Sequence, residues 1–77
     1  MEATEFFGRA VHASRAERGM SRYDLRDKAG VSYPYIAELE AGNKNPSMRI
    51  VEKLAGAMDM KASELLARAE YIEKTFG

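Results

Sequence analysis

Three times between residues 19 and 47 the chain sets down a glycine and, shortly after it, a serine: Gly19 then Ser21, Gly30 then Ser32, Gly42 then Ser47. Glycine ends helices because it takes the left-handed conformation without a Cβ penalty. Serine begins them because its oxygen accepts a bond from an otherwise unpaired backbone N–H. Punctuation this dense leaves no room for long central elements and calls for a series of short helices. The 77 residues are expected to form a single domain, 1–77, near the lower size limit for a self-supporting core.

Five helices follow from the pattern. Thr4 is placed to cap the first, in which Phe7 and Val11 lie one turn apart, and Gly19 ends it. Ser21 with Asp24 three residues on resembles a capping box and opens a second helix that runs to Ala29 and closes at Gly30. Ser32 caps a third, which carries Ile36 and Leu39 inward and stops at Gly42. After the loop Asn43-Lys44-Asn45-Pro46, Ser47 caps a fourth helix with Met48, Val51, Leu54, Ala55 and Met58 at helical spacing. A break at residues 59–61 precedes a fifth, 62–76, striped by Leu65, Ala69, Ile72 and Phe76. No segment alternates with the period of a strand. The fold class is all-α.

Pro34 agrees with this division. In the first turn of the third helix its missing N–H breaks no intrahelical bond. Residues 33–35, Tyr-Pro-Tyr, therefore stand at an exposed helix N-terminus.

Composition narrows the function. Twelve basic and twelve acidic residues cancel, which argues mildly against a strongly cationic nucleic-acid binder. The distribution leans the other way: residues 9–53 hold nine Lys/Arg against six Asp/Glu. With no cysteine there is neither a disulfide nor a thiolate metal site. His12, the only histidine, lacks partners at metal-ligand spacing and reads as a surface residue of the first helix; no metal site is expected. The five methionines lie mostly at core spacing and read as gap fillers. An enzyme lacks its parts here, having neither a phosphate-cradling glycine loop nor a nucleophile–histidine–acid set. No secretory signal or membrane-length apolar run is visible, so the expectation is a soluble, cytoplasmic protein.

Two short helices joined by a glycine turn, spanning 21–41, are the elements of a helix-turn-helix. The stretch GMSRYDLRDKAGVSYPYIAELEAGNKNPSM closely resembles the lambda-repressor-like, Cro-type family, also called XRE, over roughly residues 7–66. Leu25, Ala29, Val31, Ile36 and Leu39 fall on its apolar positions and Gly30 on its turn glycine. Two positions depart from it. Arg22 stands where the family usually has glutamine, and Arg26 where it favours a small residue such as alanine. Arg22 can still donate to a phosphate; Arg26 must extend sideways to water, its stem covering apolar surface.

The resemblance implies a compact five-helix domain whose third helix enters the major groove of double-stranded DNA N-terminus first. Tyr33, Pro34 and Glu38 then fall on base-reading positions. Ser21, Arg22, Tyr35, Asn43 and Lys44 fall at or beside backbone contacts. Tyr33 and Pro34 suit thymine methyl groups, and Glu38 suits a cytosine amino group. Arg15 and Glu40 resemble a family pair that meets between the first and third helices as a partly buried ion pair. The implied function is a transcription regulator, a repressor, acting as a homodimer on a two-fold operator, with no cofactor, membrane or small-molecule ligand. Leu65, Ala69, Ile72 and Phe76, widened by Leu66 and Tyr71, are expected to help form the dimer interface. The rival reading is an antitoxin-like or adaptor protein whose main partner is another protein, favoured by the zero net charge and by Glu38.

Overall fold

The computed structural model describes residues 2–77 and contains α1 (Ala3–Glu17), α2 (Arg22–Ala29), α3 (Tyr33–Glu40), α4 (Met48–Ala57) and α5 (Ala62–Phe76). Met1 lies outside the described residues. The three serines act as caps. Ser21 Oγ accepts from the Asp24 N–H at 3.0 Å, Ser32 Oγ from Tyr35 at 3.3 Å and Ser47 Oγ from Ile50 at 3.2 Å. The Asp24 carboxylate in turn accepts from the Ser21 N–H at 2.9 Å, and hydrogen bonding from the Ser21 backbone, then from its hydroxyl, holds the carboxyl below its ordinary value. Gly30 closes α2 with φ +69°, a conformation that a side chain would strain.

The first cap differs from the expectation. α1 starts before Thr4: Glu2 is the N-cap, with extended backbone, and its N–H donates to Glu5 Oε1 at 3.3 Å. Thr4 lies inside the first turn because Glu5 supplies the reciprocal carboxylate one turn further on.

α1 packs along α5 and crosses α3, while α2 lies against α3 and α4, and α4 meets α5. The enclosed core takes Phe6, Phe7 and Val11 from α1, Leu25 from α2, Ile36 and Leu39 from α3, Leu54 from α4 and Leu65 from α5. Each such side chain contributes about 1.5–3 kcal/mol by leaving water. The approach of α1 to α3 is close enough to need Gly8. A Cβ there would overlap the Leu39 carbonyl oxygen and lie 2.9 Å from that of Glu40.

Two apolar expectations need correction. Met48, placed by spacing on the inner stripe of α4, is 56% exposed at the start of the helix. In α5, Leu65, Ala69 and Ile72 are buried in the chain's own core against α1, so they are not available to a second copy. Phe76, the fourth of that stripe, stands 66% exposed at the helix end. α5 packs this stripe on its own chain, against α1 and α4.

Candidate nucleic-acid interface

The site is built where α2 and α3 begin. α2 is anchored by Leu25 and Ala29, α3 by Ile36 and Leu39, all inward at helical spacing. Their outward faces are thereby left to polar and aromatic side chains. Pro34 and Glu38 are exposed, whereas Tyr33 is half-buried and Tyr35 leans its ring on the core. Glu38 accepts from Asn43 Nδ2 at 3.1 Å, so one expected base reader and one expected backbone contact are partners of each other. Lys44 is exposed and makes no side-chain hydrogen bond or ion pair among the described residues. The hydroxyl of Ser21 is occupied as an acceptor by its capping bond.

Behind this face lies a carboxylate, Glu40, whose side chain is 3% exposed. Arg15 meets it with two bonds, Nε to Oε2 at 2.8 Å and Nη2 to Oε1 at 2.9 Å, and its Nη1 donates to the Met20 carbonyl at 3.0 Å. Arg22 Nε donates to the same Oε1 at 3.0 Å. His12, exposed on α1, brings Nδ1 to 3.3 Å from Glu40 Oε1 and 3.0 Å from Arg15 Nη2. Burial pushes the Glu40 carboxyl up, but the bonds and charge of Arg15, with help from Arg22 and His12, outweigh it and hold the carboxyl below its ordinary value. One acid at the end of α3 thus ties together side chains from α1 and α2. Arg22, expected on a phosphate, is drawn inward to this acid, and its guanidinium is raised above its ordinary value first by the Tyr33 hydroxyl and then by Glu40.

Sequence reasoning passed over three features here. Tyr23, 57% exposed on α2, stacks with Tyr33 at a centroid separation of 4.6 Å and a tilt of 32°. The Arg26 guanidinium lies 5.2 Å from the Tyr23 ring centroid, and its Nε donates to Asp27 at 2.9 Å, so Arg26 does extend sideways as its size requires. His12 is a surface residue as expected, yet it is also the outermost member of the Glu40 cluster. Spacing along a helix gives the Tyr23–Arg26 pair, three residues apart. The contact of Tyr23 with Tyr33 crosses the turn and has no local signal. Among the described residues no group of acids and histidines could hold a metal ion, and no helix is long and apolar enough to cross a membrane.

Two eight-residue helices joined by a left-handed glycine, the second offering its N-terminal residues outward, define a helix-turn-helix. The chain belongs to the helix-turn-helix family, whose sequence model (HTH_3) matches residues 11–65. It is 31% identical over 67 residues to the immunity repressor protein of Bacillus phage phi105, an alignment covering 87% of this chain and 46% of the repressor. It is 34% identical over 65 residues to the uncharacterized HTH-type transcriptional regulator YazB of Bacillus subtilis, covering 84% of this chain and 93% of that protein. The chain spans about half the length of several of the curated relatives it matches.

Solved structures agree on the lambda-repressor-like fold. The clp gene regulator ClgR from Corynebacterium glutamicum superposes with a TM-score of 0.87 at 27% identity, covering 92% of this chain and 76% of that one. The restriction-modification controller protein C.AhdI from Aeromonas hydrophila gives 0.78 at 31% identity, covering 80% and 94% respectively.

Proposed function

We propose that this chain is a sequence-specific, DNA-binding transcription regulator, a repressor that acts as a homodimer on a two-fold operator. The observation that carries the reading is the outer face of α3, with Tyr33 and Pro34 at its N-terminus and Glu38 one turn further on, presented on an anchored helix-turn-helix. In the major groove, Tyr33 and Pro34 offer apolar surface to thymine methyl groups and Glu38 accepts from a cytosine amino group. Lys44 and Asn43 flank them toward the phosphates, and Ser21 and Tyr35 add hydroxyls. Arg22 reaches a phosphate with the guanidinium nitrogens that Glu40 does not hold. With Leu65, Ala69 and Ile72 taken up by the core, the dimer contact draws instead on the exposed Met48, Leu66, Tyr71 and Phe76. Two protomers then read half-sites about one helical turn, roughly 34 Å, apart.

The test is binding to a duplex selected from a random pool and to its scrambled counterpart, across a salt series. Tyr33→Ala should lose about 1–3 kcal/mol on the selected duplex and relax base preference at one position per half-site. Lys44→Ala should weaken both duplexes alike and lower the salt slope by about one unit. Equal, salt-insensitive binding of parent and variants would sink the DNA reading and turn attention to a protein partner. Sedimentation of the full chain tests the dimer, and Leu66→Lys should dissociate it.

A further inference from the structure

We propose that Tyr23 on α2 is a positioning residue that sets the base preference read by Tyr33, an inference that rests on the DNA-reading role proposed for Tyr33. The first residue of a helix has little to hold its side chain, because no preceding turn packs against it. Tyr33 occupies that place in α3. Its ring is nevertheless met by α2: the Tyr23 ring lies at a centroid separation of 4.6 Å, tilted by 32°. That ring is itself restrained. The Tyr23 ring carries Arg26 at 5.2 Å, one turn along α2, and Arg26 is fastened to Asp27.

The direction of the Tyr33 ring is thus decided by the neighbouring helix. A second observation supports a role outside the core. Tyr23 is more than half exposed and absent from the enclosed cluster, so it contributes little to burial, and its defined contacts are with Tyr33 and Arg26. Removing the ring at 23 frees Tyr33 to leave the orientation in which it faces one base step, while leaving the helix-turn-helix intact. An aromatic pair of this kind corresponds to an effect of about two- to tenfold.

The experiment uses the full chain and the duplex selected by the parent, together with every single-base variant of one half-site. Tyr33→Ala first locates the position that Tyr33 reads. Tyr23→Ala should flatten the preference at that same position about two- to tenfold, Tyr23→Phe should keep it, and the double variant should flatten it no further than Tyr33→Ala alone. Unfolding in urea controls for folding, and the exposed ring predicts a midpoint close to the parent's. The proposal is overturned if Tyr23→Ala leaves that position unchanged, weakens all duplexes uniformly, or alters a different position additively with Tyr33→Ala. It also falls if Tyr23→Phe behaves as Tyr23→Ala. Loss of selectivity in the parent itself is a separate result: it rejects DNA reading by Tyr33, and the positioning role with it.

Discussion

The two fifteen-residue helices, α1 and α5, and the two eight-residue helices, α2 and α3, solve different problems with similar residues. α1 and α5 pack on one another, with Phe6, Val11, Leu65 and Ile72 buried in the shared core. Between them, among the described residues, stands one ion pair, Glu17 with Arg68, largely exposed, with Arg68 Nη1 2.7 Å from Glu17 Oε1. α2 and α3 are shorter than the roughly 12–15 residues at which a helix begins to persist alone. They need outside anchoring, and they get it from buried leucine and isoleucine and from the Glu40 cluster. The long pair is secured by area and the short pair by area plus a buried charge network. That division leaves the outer faces of α2 and α3 free of structural duty.

The sharpest way to break this contrast is to remove the acid. Glu40→Ala leaves the Arg15 guanidinium enclosed without its carboxylate and should cost roughly 3–5 kcal/mol, read from urea unfolding. Arg15→Met should cost less, because Arg22 and His12 still face Glu40. An unchanged midpoint in both would mean that the short helices stand on apolar contacts alone.

Next in size is the crossing of α1 over α3. Gly8→Ala pushes a methyl group into the carbonyls of Leu39 and Glu40 and should cost about 1–3 kcal/mol in the same assay. Acid titration sharpens the comparison further. The Glu40 carboxyl lies below its ordinary value of 4.5 in the folded chain, so its contribution is fully present above that pH and is lost as pH falls through the folded value. Glu40→Gln should therefore flatten the decline of the urea midpoint below about pH 4.5. It should not abolish the decline, since Asp24 is also held low.

Inside α1, Ser14 Oγ is buried without a hydrogen-bond partner among the described residues. Ser14→Ala should raise stability by about 1 kcal/mol, because the hydroxyl was desolvated without compensation. A loss of stability would mean that the hydroxyl has a partner after all. Smallest of all is Glu17→Gln, for which the urea midpoint should move within experimental error and salt should erase any difference. A shift as large as that of Glu40→Ala would dissolve the distinction between the two regions.

Much of this molecule is local, and what is local can be read along the chain. The Ser21, Ser32 and Ser47 caps, the Gly30 stop and the inward positions Leu25, Ile36 and Leu39 each depend on residues within one turn, so spacing alone places them. The same locality explains the error at Thr4, where Glu2 and Thr4 compete for one cap and the carboxylate of Glu5 decides. Where an apolar stripe points is a different kind of question. Leu65, Ala69 and Ile72 carry the same pattern whether they face α1 or a second copy, and only the packing of α5 on α1 distinguishes the two. The approach of Tyr23 to Tyr33 and the addition of His12 and Arg22 to the expected Arg15–Glu40 pair likewise arise only where helices meet. Periodicity tells each helix which face to bury, but the partner of that face is chosen by helix crossings that join residues far apart in the chain.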